Sequence, residues 1–120
     1  MFDVIYYENG KGEKPVEEYI NGLREQQGKD ARIKLTKVVE YIRKLSEYGT
    51  RVGKPEVDKI EGEENLYELR PLKDRIFFAY WKDNTFVLLH HFVKKSRKTP
   101  KTEIEQAKRN LKDWIERYGG

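Results

Sequence analysis

At 120 residues the chain is long enough for one hydrophobic core and too short for two, so a single domain over residues 1–120 is expected. A hydrophobic fraction of 37% beside 38% charged and 12% aromatic residues describes a small core under a densely ionic surface, not a disordered chain. Cysteine is absent, which excludes disulfide staples, thiolate zinc sites and cysteine nucleophiles.

Taken in chain order, Phe2 to Tyr7 is aromatic and β-branched and runs into Asn9-Gly10, the pattern of a strand ending in a turn. The opening Met1 to Tyr7 is too short and too acidic for a signal peptide, and no apolar run approaches the roughly 20 residues of a membrane span. A cytoplasmic protein without membrane contact is the expectation. Pro15 suits the first turn of a helix, and Val16, Tyr19, Ile20 and Leu23 repeat behind it on one face up to Gly28. A second helix is predicted from Ala31 to Tyr48 on the stripe Leu35, Val38, Val39, Ile42 and Leu45, stopped by Gly49. The short link makes the two helices antiparallel neighbours.

Residues 50–65, with Gly53, Pro55 and Gly62, read as a loop anchored by Val57 and Ile60. Three strands follow, Leu66 to Leu72, Arg75 to Lys82 and Thr85 to Lys94, separated by Lys73-Asp74 and Asp83-Asn84 as hairpin turns. Thr99 as N-cap and Pro100 at the first helical position open a last helix carried by Ile104, Ala107, Leu111, Trp114, Ile115 and Tyr118. The order β-α-α-β-β-β-α predicts an α+β domain, a mainly antiparallel sheet with helices packed on one side.

The net charge of +4 is unevenly spread. Residues 1–65 carry 12 Lys/Arg against 14 Asp/Glu, whereas residues 66–120 carry 13 against 7, nine of the 13 from Lys94 onward. A polyanion-binding surface therefore belongs to the second half, the alternative being a solvated helix face. Its densest part is Lys94-Lys95-Ser96-Arg97-Lys98, where a strand leaves the sheet. Upstream, Glu68 and Arg70 share one face of their strand, and Arg75 is close enough across the hairpin to join them. Two arginines beside a carboxylate suit phosphate handling, or else form a cross-strand salt bridge that holds register. His90 and His91 are adjacent on a strand and must point to opposite faces, so at most one serves any site, as a proton carrier or as a structural histidine. Such a pair is a poor metal clamp.

The runs Leu66-Tyr67-Glu68-Leu69-Arg70, Arg75-Ile76-Phe77-Phe78 and Leu88 to Lys95 resemble the core of HigB-type toxins of the RelE superfamily. Thr99 to Lys108 and Pro15 to Ile20 are similar to the matching segments of the phage-protein-like branch of these toxins. The resemblance implies a microbial-ribonuclease-like α+β fold and an mRNA endoribonuclease, usually working in the ribosomal A site. It implies attack by the RNA 2′-OH without metal or cofactor, and silencing by a cognate antitoxin, often a helix-turn-helix protein of the HigA type through which alone DNA is met. By position, Arg75 would contact the transition-state phosphate, Arg70 would orient, and Lys94 and Lys95 would bind backbone or neutralise the leaving group. Lys73, Arg97, Lys98 and Lys101 would extend the RNA contact. Leu66 and Glu68 stand where better-known RelE toxins carry paired lysines, and the C-terminal tyrosine of those toxins has no counterpart. The general base is therefore open between Glu68, one of His90 and His91, and positioning by the ribosome. Two other readings are a ParE-type toxin of the same fold acting on DNA gyrase and a non-catalytic nucleic-acid-binding module.

Overall fold

The computed structural model describes residues 1–120. Its elements are β1 (Asp3–Tyr6), α1 (Pro15–Glu25), α2 (Lys29–Tyr48) with a 3-10 turn at Gly49–Val52, β2 (Val57–Lys59), β3 (Tyr67–Leu69), β4 (Asp74–Tyr80), β5 (Thr85–Val93) and α3 (Lys101–Tyr118). The five strands form one sheet in the order β1-β5-β4-β3-β2, parallel between β1 and β5 and antiparallel elsewhere. The α+β class and the mainly antiparallel sheet are as expected. No helix is long and apolar enough to cross a membrane.

The helices do not share one side. Ile76, Phe78, Phe86 and Leu88 pack under Val16, Ile20 and Leu23 of α1 and Val38 and Leu45 of α2. Phe77, Ala79, Val87 and Leu89 pack on the opposite face under Ala107 and Trp114 of α3. Ile76 to Ala79 and Phe86 to Leu89 are uninterrupted apolar runs, and side chains alternate along a strand, so both faces of β4 and β5 require cover. Helices on one side would have left half of these residues wet.

The segment read as a loop contains β2. Val57, Asp58 and Lys59 pair with Leu69, Glu68 and Tyr67, giving the sheet a fifth strand too short to show a period. The first hairpin turn is centred one residue earlier than the sequence suggests, on Leu72-Lys73, closed by Asp74 N–H donating to Pro71 O at 3.0 Å. At the head of α3, Pro100 and not Thr99 is the capping residue, with extended backbone and its carbonyl accepting from Glu103 and Ile104. Proline has no N–H and a fixed φ, and it serves here outside the first turn instead of inside it.

One irregularity sets the direction of the histidines. Phe77 pairs with His90 and Phe78 with Leu88, leaving Leu89 as an extra residue in β5. Such a bulge re-aims the side chains after it. The Leu89 carbonyl is met by the Asn110 side-chain amide of α3 at 2.8 Å.

Candidate functional site

The turn Leu72-Lys73 and the end of β5 lie side by side, because Asp74 pairs with Val93 and Lys94 N–H donates to Lys73 O at 2.8 Å. Between them opens a broad, shallow groove of about 760 Å³, walled by Leu72 and Lys73, floored by Arg75 and closed by Val93 to Arg97. Five of its lining residues are cations: Lys73, Arg75, Lys94, Lys95 and Arg97. Only Arg75 is paired with a carboxylate, through Nε to Glu68 Oε1 at 3.8 Å.

Arg75 is held in place by the backbone. Its Nη1 donates to Leu72 O at 2.9 Å and to Asp74 O at 2.8 Å, while its buried Nε has no hydrogen-bond partner. Burial lowers its pKa and Glu68 opposes the shift. An arginine starts so far above neutrality that the guanidinium stays charged. Glu68 is 5% exposed and faces the α3 side, behind Arg75. Burial pushes its pKa up against the pull of Arg75, Arg70 and Lys94, and its Oε1 has no hydrogen-bond donor. Glu68 does not line the groove. Its place is that of a counter-charge to Arg75.

The other expected site residues separate. Arg70, just past β3, stays within electrostatic reach of Glu68 and Arg75 but does not line the groove, its Nη1 lying 3.6 Å from Asp58 Oδ2 of β2. Lys98 and Lys101 are exposed beyond the groove, on the connection to α3 and at its first residue. His91 lies on the α1 face, opposite Arg75 and Glu68, its ring stacked on Tyr19 with centroids 4.1 Å apart. Burial, then the charge of His90, lowers the His91 pKa, and its buried Nδ1 has no partner. His90 points to the α3 face, where Nε2 meets Glu103 Oε1 at 2.7 Å. The two histidines thus diverge as strand alternation requires, and neither lines the groove. No group of three or more His, Asp or Glu is gathered to hold a metal ion.

Two features of the site were invisible in the spacing of residues. Asp74 is 1% exposed, accepts the Tyr19 hydroxyl of α1 and lies 3.1 Å from Lys34 Nζ of α2, so both N-terminal helices grip the residue next to Arg75. In sequence it reads only as a turn acid between Lys73 and Arg75. Leu72, with φ of 57°, and Val93 are exposed apolar residues on the walls of a cationic groove.

Among solved structures the chain is similar to the YoeB dimer from Staphylococcus aureus, with 12% identity over 79% of this chain and 97% of that one and a TM-score of 0.53. At that identity the likeness is one of fold, and the sheet with its three helices is RelE-like. No curated protein matches the chain. Residues 19–112 match the family described as phage derived protein Gp49-like (DUF891), a span that takes in α2, all of β2 to β5 and every residue of the groove. The chain belongs to the Gp49-like family of phage-derived proteins.

Proposed function

We propose that this protein is the toxin of a type II toxin–antitoxin pair, a HigB-like endoribonuclease that cuts mRNA in the cytoplasm, at the ribosomal A site. The observation that carries the reading is the groove itself: four cations with no carboxylate partner gathered around a fifth, Arg75, whose guanidinium is fixed by two backbone carbonyls. The RelE-like fold and the toxin motifs of the sequence support it. In the reaction the RNA 2′-hydroxyl gives its proton to water as its oxygen bonds to the adjacent phosphorus, and the bond to the 5′-oxygen breaks as that oxygen takes a proton from water, giving a 2′,3′-cyclic phosphate and a 5′-hydroxyl end. Arg75 stabilises the charge that develops on the phosphoryl oxygens, and Lys94 and Lys95 hold the backbone and the departing oxygen. Lys73 and Arg97 extend the phosphate contact. No carboxylate or imidazole lines the groove, so its share of the catalysis is charge stabilisation and positioning. The partner that silences it is a cognate antitoxin of the helix-turn-helix type, which alone brings the pair to DNA.

Translation-coupled mRNA cleavage tests this reading. Arg75→Ala is expected to lower the rate by about 10²–10³, the usual cost of one donor at a developing oxyanion. Because this change also strips Glu68 of its counter-charge, the thermal transition of the variant is measured alongside, and the exposed Lys95→Ala serves as a second probe. Intact mRNA with the wild type, together with gyrase inhibition, would replace the ribonuclease by the ParE-type alternative.

A further inference from the structure

The loop that walls one side of the groove carries an ill-suited residue for its backbone. Leu72 is the first central residue of the turn Pro71 to Asp74 and has φ of 57°, while Lys73 beside it stays in the ordinary negative range. Positive φ at that position alone is the pattern of a type II′ turn, whose usual occupant is glycine. The next hairpin shows the comfortable solution in the same chain: Asp83 and Asn84, at φ of 53° and 55°, are residues that tolerate the left-handed region. A leucine there is strained, and strain of this kind gathers at ligand sites. Burial does not offset it. Leu72 is 50% exposed and belongs to neither core cluster. Val93, at the end of β5, is 47% exposed, and these two are the apolar residues of the groove.

An apolar pair set among cations matches the divided chemistry of a nucleotide, which has a charged phosphate and a flat base with apolar faces. We propose that Leu72 and Val93 form a shelf for one unstacked nucleobase of a single-stranded RNA whose phosphates lie on Lys73, Arg75, Lys94 and Lys95. The inference rests on the RNA reading above and adds that the groove binds bases as well as phosphates. In a duplex the base faces are covered by their neighbours, whereas in a single strand each is free to pack on the protein. Neither side chain carries a hydrogen-bonding group. The shelf therefore ranks bases by the size of the face, purine above pyrimidine, and reads no Watson–Crick edge.

The test uses three ligands of equal length, all 2′-O-methylated so that no nucleophile is present: oligoadenylate, the same backbone with abasic sites, and oligoadenylate paired with its complement. The wild type is expected to bind the single-stranded oligoadenylate several-fold more tightly than either of the others. Leu72→Gly, which fits the turn and removes the side chain, should lose that margin while keeping its affinity for the abasic strand, with a thermal midpoint no lower than that of the wild type. Leu72→Met, which restores an apolar side chain, should keep the margin, and Val93→Ala should shrink it. A wild type that binds oligoadenylate and the abasic strand equally, or a Leu72→Gly or Val93→Ala protein that keeps the full margin, overturns the shelf and leaves the cationic groove standing. Binding to none of the three also overturns it. The cleavage assay then decides separately whether the RNA reading survives.

Discussion

His91 is a titratable group stored in a place built for a neutral ring. Half-buried and stacked on Tyr19, it has a pKa below its ordinary 6.5, burial being the first cause and the charge of His90 the second. In the unfolded chain that burial is gone, so between the two pKa values the unfolded state binds more protons than the folded one. The stability contributed by neutral His91 is thus fully present above pH 6.5 and is lost as pH falls through its lowered folded value. His91→Phe keeps the stacked ring and removes the titration, and is expected to flatten the fall of thermal midpoint between about pH 7 and pH 5. A melting series across that window, wild type against variant, checks it. The divergence of His90 and His91 was readable from strand alternation alone. Which of them would face Arg75 was not, since that depends on the extra residue Leu89, and nothing about a leucine between apolar neighbours announces a bulge.

Secondary elements meet the site through Asp74. A carboxylate with 1% exposure needs partners, and it draws one from each N-terminal helix: the Tyr19 hydroxyl from α1 and the Lys34 ammonium from α2. The helix pair is thereby tied to the first residue of β4, whose own carbonyl holds Arg75. Tyr19→Phe deletes only the hydroxyl and is expected to cost about 1–3 kcal/mol, the range for losing one hydrogen bond to a buried charged acceptor. Urea unfolding reads this as a lower midpoint at unchanged slope. Periodicity placed α1, α2 and α3 to within a few residues because their apolar stripes are long. It could not give the side of the sheet each covers, which follows instead from the unbroken apolar runs of β4 and β5. Nor did it reveal β2, three residues between Pro55 and Gly62, and with β2 unseen the partner of Arg70, Asp58, was unseen too.

Across the whole molecule the charge gradient of the sequence survives folding as a local concentration. Lys94, Lys95 and Arg97 come from one run, and the hairpin brings Lys73 and Arg75 to them from some twenty residues upstream. The run was plain in the sequence, but the convergence needed the pairing of Asp74 with Val93. On the proposed function, RNA bound to such a surface would release counterions, so affinity should fall as salt rises, with a log–log slope of about −0.7 for each phosphate neutralised on a single strand. Lys95→Gln is expected to make that slope shallower by about 0.7. Titrations of a 2′-O-methyl oligonucleotide at several salt concentrations measure it, and an unchanged slope would remove Lys95 from the contact.

The parallel pairing of β1 with β5 joins residues about eighty positions apart. A nascent chain therefore holds its first strand without a strand partner until β5 has been made, and contacts so distant in sequence place folding toward the slow end for a domain of this size. Both walls of the groove depend on the same late event, since the Leu72-Lys73 turn acquires its opposite bank only when Val93 to Arg97 arrive. On the producing ribosome the chain is thus without its cationic groove until the segment that supplies most of its charge has left the exit tunnel.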